Sequence, residues 1–265
     1  MKYAIMSDAH SNPAALALAL KDAKRRKCGK LVFLGDVTGY GYDVGETLKL
    51  VKANFDIVLM GNHDSVCSGL EDNRFVRMNS HYDIDRAQGQ SLGKRDINWL
   101  RSLAYVYENK DFVAAHGDFV DPKSWGYVFD EREAWDSFSA CDRNLMFCGH
   151  THHTCVWEFD GAKITNRYEE RFRMPATDPE TISFRIKDGV RYIVNVGSVG
   201  YPRNDLCCSY VIYDSEARRV TIRRLPFDFG GYIKSMIAAK IELPPWIVEI
   251  LTLAARAGHN GDSPL

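Results

Sequence analysis

The chain has 265 residues, 45% of them apolar and 26% charged, with a formal net charge of −1 at pH 7. That balance is ordinary for a soluble globular protein and argues against an extended nucleic-acid surface, while leaving room for a local basic patch. No apolar run approaches the roughly 20 residues that span a bilayer, no signal-peptide pattern opens the chain, and the seven cysteines include no CxxC pair, which argues against a disulfide framework or zinc ribbon; a cytoplasmic protein with no membrane partner is expected.

Residues 2–6 read as a first strand running into Ser7-Asp8-Ala9-His10. Pro13 then opens an Ala- and Leu-rich helix to about Lys27, because a proline at the first helical position gives up an N–H that would have been unpaired anyway. Gly29 is the expected stop. Leu31 to Leu34 form a second strand, four apolar residues in a row as in a strand covered on both faces, and it ends in Gly35-Asp36. A Gly- and Tyr-rich loop precedes a helix over 45–54, and residues 56–60 make a third strand leading into Gly61-Asn62-His63-Asp64. The alternation of strand and helix predicts a mainly parallel sheet with helices on its faces, whose ligands gather at the carboxyl ends of the strands.

Residues 65–108 read as mostly helical, most clearly over 85–103. A fourth strand, 112–115, leads to His116-Gly117-Asp118, and a loop with Pro122, Trp125 and Tyr127 leads to a helix over 131–140. A fifth strand, 145–148, ends in Gly149-His150-Thr151-His152. Strands then follow at 155–159, 163–166, 191–196, 209–214 and 218–225, with a polar loop over 167–180. The last two strands form a hairpin, and this half is expected to make an antiparallel second sheet against the first. Two short helices separated by Pro244-Pro245 occupy about 232–257, and residues 258–265 form a tail. The expected organisation is one domain, a core over 1–228 with a C-terminal helical appendage over 229–265.

Among the side chains at the strand ends are Asp8, Asp36, Asn62 and five histidines. Turn and capping roles explain any one of them, but not their joint recurrence. A pair of divalent cations about 3.5–4 Å apart needs a bridging carboxylate and imidazole, carboxylate or amide ligands around it. Asp36 is the expected bridge; Asp8, His10 and His152 complete one site, and Asn62, His116 and His150 the other. Such a pair acidifies a bridging water to a hydroxide that attacks phosphorus in line. His63 is left as the general acid or a phosphate-orienting donor, with Asp64 expected to hold its imidazole. The ligand set suits two divalent or mixed-valence transition metal ions, Mn, Fe, Zn or Ni.

These blocks resemble those of the calcineurin-like metallophosphoesterase superfamily. Its D-x-H, G-D, G-N-H-[DE], H and G-H-x-H signatures stand here as Asp8-Ala9-His10, Gly35-Asp36, Gly61-Asn62-His63-Asp64, His116 and Gly149-His150-Thr151-His152. The resemblance implies an α/β fold, a four-layer α/β/β/α sandwich, and the metal roles already given. Within it the chain is similar to small bacterial phosphodiesterases and diadenosine-polyphosphate hydrolases, on Gly35-Asp36-Val37-Thr38-Gly39-Tyr40-Gly41 and on Asn195 to Arg203, where Val196 replaces a usual proline. A small-molecule phosphodiester or phosphoanhydride of nucleotide type is the expected substrate. A protein serine/threonine phosphatase shares the site chemistry. A non-catalytic metal-binding scaffold, as in the retromer subunit of this fold, is opposed by the intact set with His63.

Asn12 is a candidate phosphate contact, though capping of the first helix explains it equally. Tyr40 and Tyr42 are candidates for stacking on a nucleobase or for packing their loop. Arg203 is a candidate phosphate ligand, and Arg167, Arg171 and Arg173 read as a solvated cluster able to hold further phosphates. His81, His153 and His259 lie outside the motifs and are expected to be structural or solvated.

Overall fold

The computed structural model describes residues 1–71, 73–169, 178–203, 207–238 and 240. Arg171, Arg173, His259 and most of the expected appendage lie outside these described residues. Strands β1 (Lys2–Met6), β2 (Lys30–Phe33) and β3 (Ile57–Val58) alternate with helices α1 (Pro13–Arg25) and α2 (Val44–Asn54). Four short helices follow, α3 (Asn62–Cys67), α4 (Arg74–Met78), α5 (Asp83–Ser91) and α6 (Lys94–Arg101), with a 3₁₀ turn over Ser80–Tyr82. Then come β4 (Val106–Glu108), β5 (Val113–Ala115), α7 (Glu131–Ala140), β6 (Leu145–Cys148), β7 (Thr154–Phe159), β8 (Ile164–Glu169), β9 (Glu180–Arg185), β10 (Arg191–Val196), β11 (Cys207–Asp214), β12 (Arg219–Pro226) and α8 (Phe229–Ala238).

The strands form two six-stranded sheets, ordered β3-β2-β1-β11-β12-β9 and β4-β5-β6-β10-β7-β8. Both are mixed. This corrects the expectation that the later, antiparallel strands make a sheet of their own. β11 pairs antiparallel with β1, Ala4 opposite Ile212, and β10 pairs parallel with β6, Val194 opposite Phe147. The two halves of the chain are therefore interleaved in each sheet.

The period-two alternation of strand side chains builds the layers. In β1, Tyr3 and Ile5 point into an inter-sheet core with Val32, Phe112, Phe147, Val194, Val211 and Ile222. Ala4 and Met6 point the other way, onto a second core with Leu16, Ala19, Leu48 and Val51 of α1 and α2. Met146 and Ile193 face a third core with Ala134 and Phe138 of α7. Helix, sheet, sheet, helix is the expected four-layer order.

Several boundaries differ from the sequence reading for local reasons. α1 ends at Arg25, and the left-handed residue after it is Lys27, φ 58°, not Gly29. The helical stretch 85–103 breaks at Leu92-Gly93 into α5 and α6. β9 and β4 went unpredicted, because each is an edge strand with few apolar residues. β9 turns only Ile182 and Phe184 toward the core, and β4 is three partly exposed residues. β3 is short because its partner changes: the Leu59 N–H bonds to Phe33, while that of Met60 bonds to Ala104.

Candidate functional site

Each loop that follows a strand of the first half is fastened to its neighbour by backbone hydrogen bonds. The N–H groups of Asp8, His10 and Ser11 donate to the carbonyls of Gly35, Asp36 and Val37 at 2.9–3.0 Å. From the far end of the chain, Val199 and Gly200 donate to Ser7 and Asp8. Asn195 donates to the Gly149 carbonyl at 2.6 Å. Close approach explains two of the motif glycines: a Cβ on Gly149 would lie 2.6 Å from Asp8 Oδ2, and one on Gly61 would overlap Asp36 Oδ1.

This packing holds side-chain-bearing residues in the left-handed region, which costs a non-glycine residue roughly 1–2 kcal/mol. Eight of the eleven such residues described are Asp8, His10, Ser11, Asp36, Tyr40, Trp125, His150 and His152. Backbone strain of this kind concentrates where function requires a particular aim of the side chain.

The aim converges. Asp8, His10, Asp36 and His152 form one group able to hold a cation, and Asp36, His116 and His150 a second, all of them buried. Asn62 joins the second through its Oδ1, 3.2 Å from His116 Nε2. The far ring nitrogens are fixed by carbonyls: His10 Nδ1 lies 2.8 Å from Thr38 O, His152 Nδ1 2.6 Å from Tyr201 O, His116 Nδ1 3.1 Å from Leu34 O, and His150 Nε2 3.0 Å from Trp125 O. A carbonyl only accepts, so each of these nitrogens carries the proton and the other nitrogen of a neutral ring presents a lone pair.

That assignment sets up a direct test of whether a cation fits. His10 Nε2 and His152 Nε2 face one another at 3.0 Å, and Asp8 Oδ1 is 3.3 Å from the latter. Burial pushes His10 and His150 down to about 3 and lowers His152, so these rings are neutral. Asp8 Oδ1 and Asp36 Oδ2 are buried with no hydrogen-bond partner among the described residues. Unpaired buried acceptors are costly, and lone pairs crowded around a common point without a proton are what a cation resolves. The residues fit.

His63 is 2% exposed and stands edge-on to the His10 ring, centroids 4.9 Å apart. Its partner corrects the sequence reading. Asp64 does not hold the imidazole: its carboxylate accepts the backbone N–H of Asp36 at 2.8 Å, Thr38 at 3.0 Å and Gly61 at 3.2 Å. Burial raises this carboxyl to about 6, leaving it charged at neutral pH to anchor the loops. The imidazole is held by Asp85 of α5, whose carboxylate oxygens lie 2.9 and 3.0 Å from Nδ1. Burial works against a charge on His63, but Asp85 and Asp36 outweigh it and raise its pKa to about 9.

The expected substrate contacts fare unequally. Asn12 is fully buried and committed, its Oδ1 capping α1 through the Ala15 N–H and its Nδ2 donating to Gly200 O. Its Nδ2 carries a second N–H beyond the one given to Gly200. Tyr40 is 4% exposed, stacked on Tyr201 at 4.8 Å and packed on His10 and His63, with its hydroxyl on His81. It is a wall of the site and does not offer its ring to a base. Tyr42 is stacked on Tyr232 of α8. Arg203 is half-buried and close enough to act electrostatically on His152, His81 and Tyr127. Arg167 is engaged on the sheet surface by Glu158 and the Phe184 ring.

Asp85, His81 and Trp125 were not nominated from sequence. Asp85 sits 22 residues beyond His63 in a helix whose pattern marks only its apolar side, so no local signal points to it. His81, expected to be structural or solvated, is exposed and packs against His63 at 5.3 Å.

Residues 1–218 match the calcineurin-like phosphoesterase superfamily domain. A metallophosphoesterase from Sphaerobacter thermophilus is 31% identical, covers 95% of this chain and 98% of its own, and superposes with a TM-score of 0.76. A hypothetical protein from Pyrococcus horikoshii, 15% identical, shares the fold over 96% of this chain and 97% of its own with a TM-score of 0.68. An uncharacterized protein of Methanocaldococcus jannaschii is 28% identical over 94% of this chain and 97% of its own length.

Proposed function

The chain belongs to the calcineurin-like phosphoesterase superfamily, and from that premise we propose that it is a dinuclear metal-dependent phosphoesterase cleaving phosphodiester or phosphoanhydride bonds, with nucleotide-type substrates preferred. The observation that carries this reading is the pair of partnerless buried carboxylate oxygens, on Asp8 and Asp36, facing imidazole lone pairs. Asp36 would be shared, with Asp8, His10 and His152 holding one cation and Asn62, His116 and His150 the other. Imidazole and carboxylate donors suit Mn, Fe, Zn or Ni. When bound, the pair supplies Lewis-acid polarisation of the phosphoryl group and acidifies water.

The chain's own residues then do three things. The carbonyls of Thr38, Tyr201, Leu34 and Trp125 keep the imidazoles aimed, as outer partners of ligating histidines do. Asp64 ties the loops bearing Asp36, Thr38 and Gly61 together. His63, charged and oriented by Asp85, holds a proton on Nε2 for the leaving oxygen. No described helix is long and apolar enough to cross a membrane.

The test is hydrolysis of bis(p-nitrophenyl) phosphate by protein loaded with Mn²⁺, alongside metal analysis. Turnover that a chelator abolishes and Mn²⁺ restores, with about two ions per chain, is expected. Turnover indifferent to chelation would sink the reading.

A further inference from the structure

Beside the candidate metal cluster, the segment between β5 and α7 carries a row of rings outward. Tyr127 stacks on His150 with centroids 4.2 Å apart and planes within 12°. Phe129 stacks on Tyr127 at 5.2 Å and 24°. Near-parallel rings at that separation are slipped past one another, so part of each face stays open. Tyr127 is 42% exposed and Phe129 46%.

Two large exposed rings in register are not a packing requirement of this loop, and contiguous exposed apolar surface next to a polar centre marks binding. The row is also held in place. Glu133 accepts the Phe129 N–H at 2.6 Å, and Asp130 caps α7 immediately after it. Trp125, at the inner end, donates its indole N–H to Glu71 at 2.9 Å while its carbonyl receives His150. A rigid, half-open aromatic surface needs little ordering when a flat ligand lands on it. Of the tyrosines that sequence alone singled out, Tyr40 is buried against Tyr201, and Tyr42, as exposed as Tyr127, stacks on Tyr232 of α8, whereas Tyr127 stacks on His150.

We propose that Tyr127 and Phe129 are the seat of a nucleobase whose phosphoester lies at the metal cluster, so that the substrate is a nucleoside phosphoester; this rests on the phosphoesterase reading above. The stack begins on His150, one of the residues able to hold a cation, so a ligand lying along it is continuous with the phosphate position. A π-face serves any base, and base–ring stacking of this kind is tolerant of base identity. The subsite selects for the presence of a base and not for its hydrogen-bonding edge.

The experiment titrates Mn²⁺-loaded protein with AMP and with ribose 5-phosphate by calorimetry. The two share the phosphate and sugar and differ by the base. Wild type is expected to bind AMP about tenfold or more tightly. Phe129→Ala and Tyr127→Leu are expected to bring that preference close to unity, the loss falling on AMP, with metal content per chain unchanged. Equal affinity of wild type for both ligands overturns the subsite, as does a variant that weakens both alike. Binding of neither ligand overturns the phosphoesterase reading itself, which separates the two failures.

Discussion

Replacing Asp85 by Asn isolates the charge that holds His63. The substitution keeps the shape of a carboxylate whose oxygens are 2.9 and 3.0 Å from Nδ1, and the side chain is fully buried. The pKa of His63 stands at about 9 against an ordinary 6.5, and at 1.36 kcal/mol per unit that rise is worth about 3 kcal/mol to the charged ring. Burial opposes the rise, and Asp85 is the largest contribution overcoming it, followed by Asp36. Asp85→Asn therefore leaves less of the ring protonated at neutral pH and weakens its aim, and loss of a positioned general acid costs about 10²-fold in turnover. The assay compares two esters. An alkyl leaving group needs the proton and should slow by about 10²-fold, whereas p-nitrophenolate leaves without it and should slow by only a few-fold. The basic limb of the pH–rate profile moves to lower pH, since a raised histidine pKa holds the charged form until pH climbs through it. In stability the same sign applies: the His63–Asp85 contribution is complete below about 6.5 and is lost as pH rises through about 9. Equal slowing of both esters with an unmoved limb would refute the assignment of His63 as the acid.

Asp36→Asn takes the shared carboxylate from both cation groups, so metal analysis should find less than one ion per chain and turnover should fall by roughly 10²–10³-fold or more; retention of two ions would remove Asp36 as the bridge. Asp64→Ala strands the N–H groups of Asp36, Thr38 and Gly61, each worth about 1–3 kcal/mol when buried unpaired. It should lower thermal stability and metal affinity together, and the two esters should slow equally, unlike Asp85→Asn. Asp22→Ala tests a pair remote from the site. Asp22 accepts from Arg223 at 2.9 Å and from Tyr210 at 2.8 Å, both donors being buried, and breaking such a pair costs about 3–5 kcal/mol. Despite burial, Arg223 and Tyr210 lower the Asp22 pKa, so its contribution is present above the unfolded value near 3.9 and disappears as pH falls below it. A denaturation midpoint that matches wild type at neutral pH would contradict this.

The seven candidate ligands were legible because each sits in a short block directly after an apolar strand, where chain direction alone places it at one end of a sheet. Asp85 was not, since nothing in α5 distinguishes a buried carboxylate aimed at an imidazole from one in solvent. Asp64 misled for the opposite reason: adjacency in sequence suggested adjacency of side chains, but α3 begins at Asn62 and turns His63 and Asp64 to different neighbours. Asn12 was ambiguous in sequence and the helix cap won. The strands themselves were readable from apolar runs, while their distribution between two sheets was not. Nothing local in β10 or β11 specifies that one crosses to β6 and the other to β1. Edge strands such as β9 bury too few residues to announce themselves.

The pairing of β11 with β1 joins Tyr3 to Tyr213 and Ile5 to Val211, so β1 cannot complete its pairing until β11 has been made. The carbonyl that fixes His152 belongs to Tyr201, and the bonds that clamp Ser7 and Asp8 come from Val199 and Gly200. Contacts of such long sequence separation are closed late and slowly. Without residues 199–201 the loops bearing Asp8 and His152 lack these native bonds. The candidate cation groups are in this way organised by contacts that close late in folding.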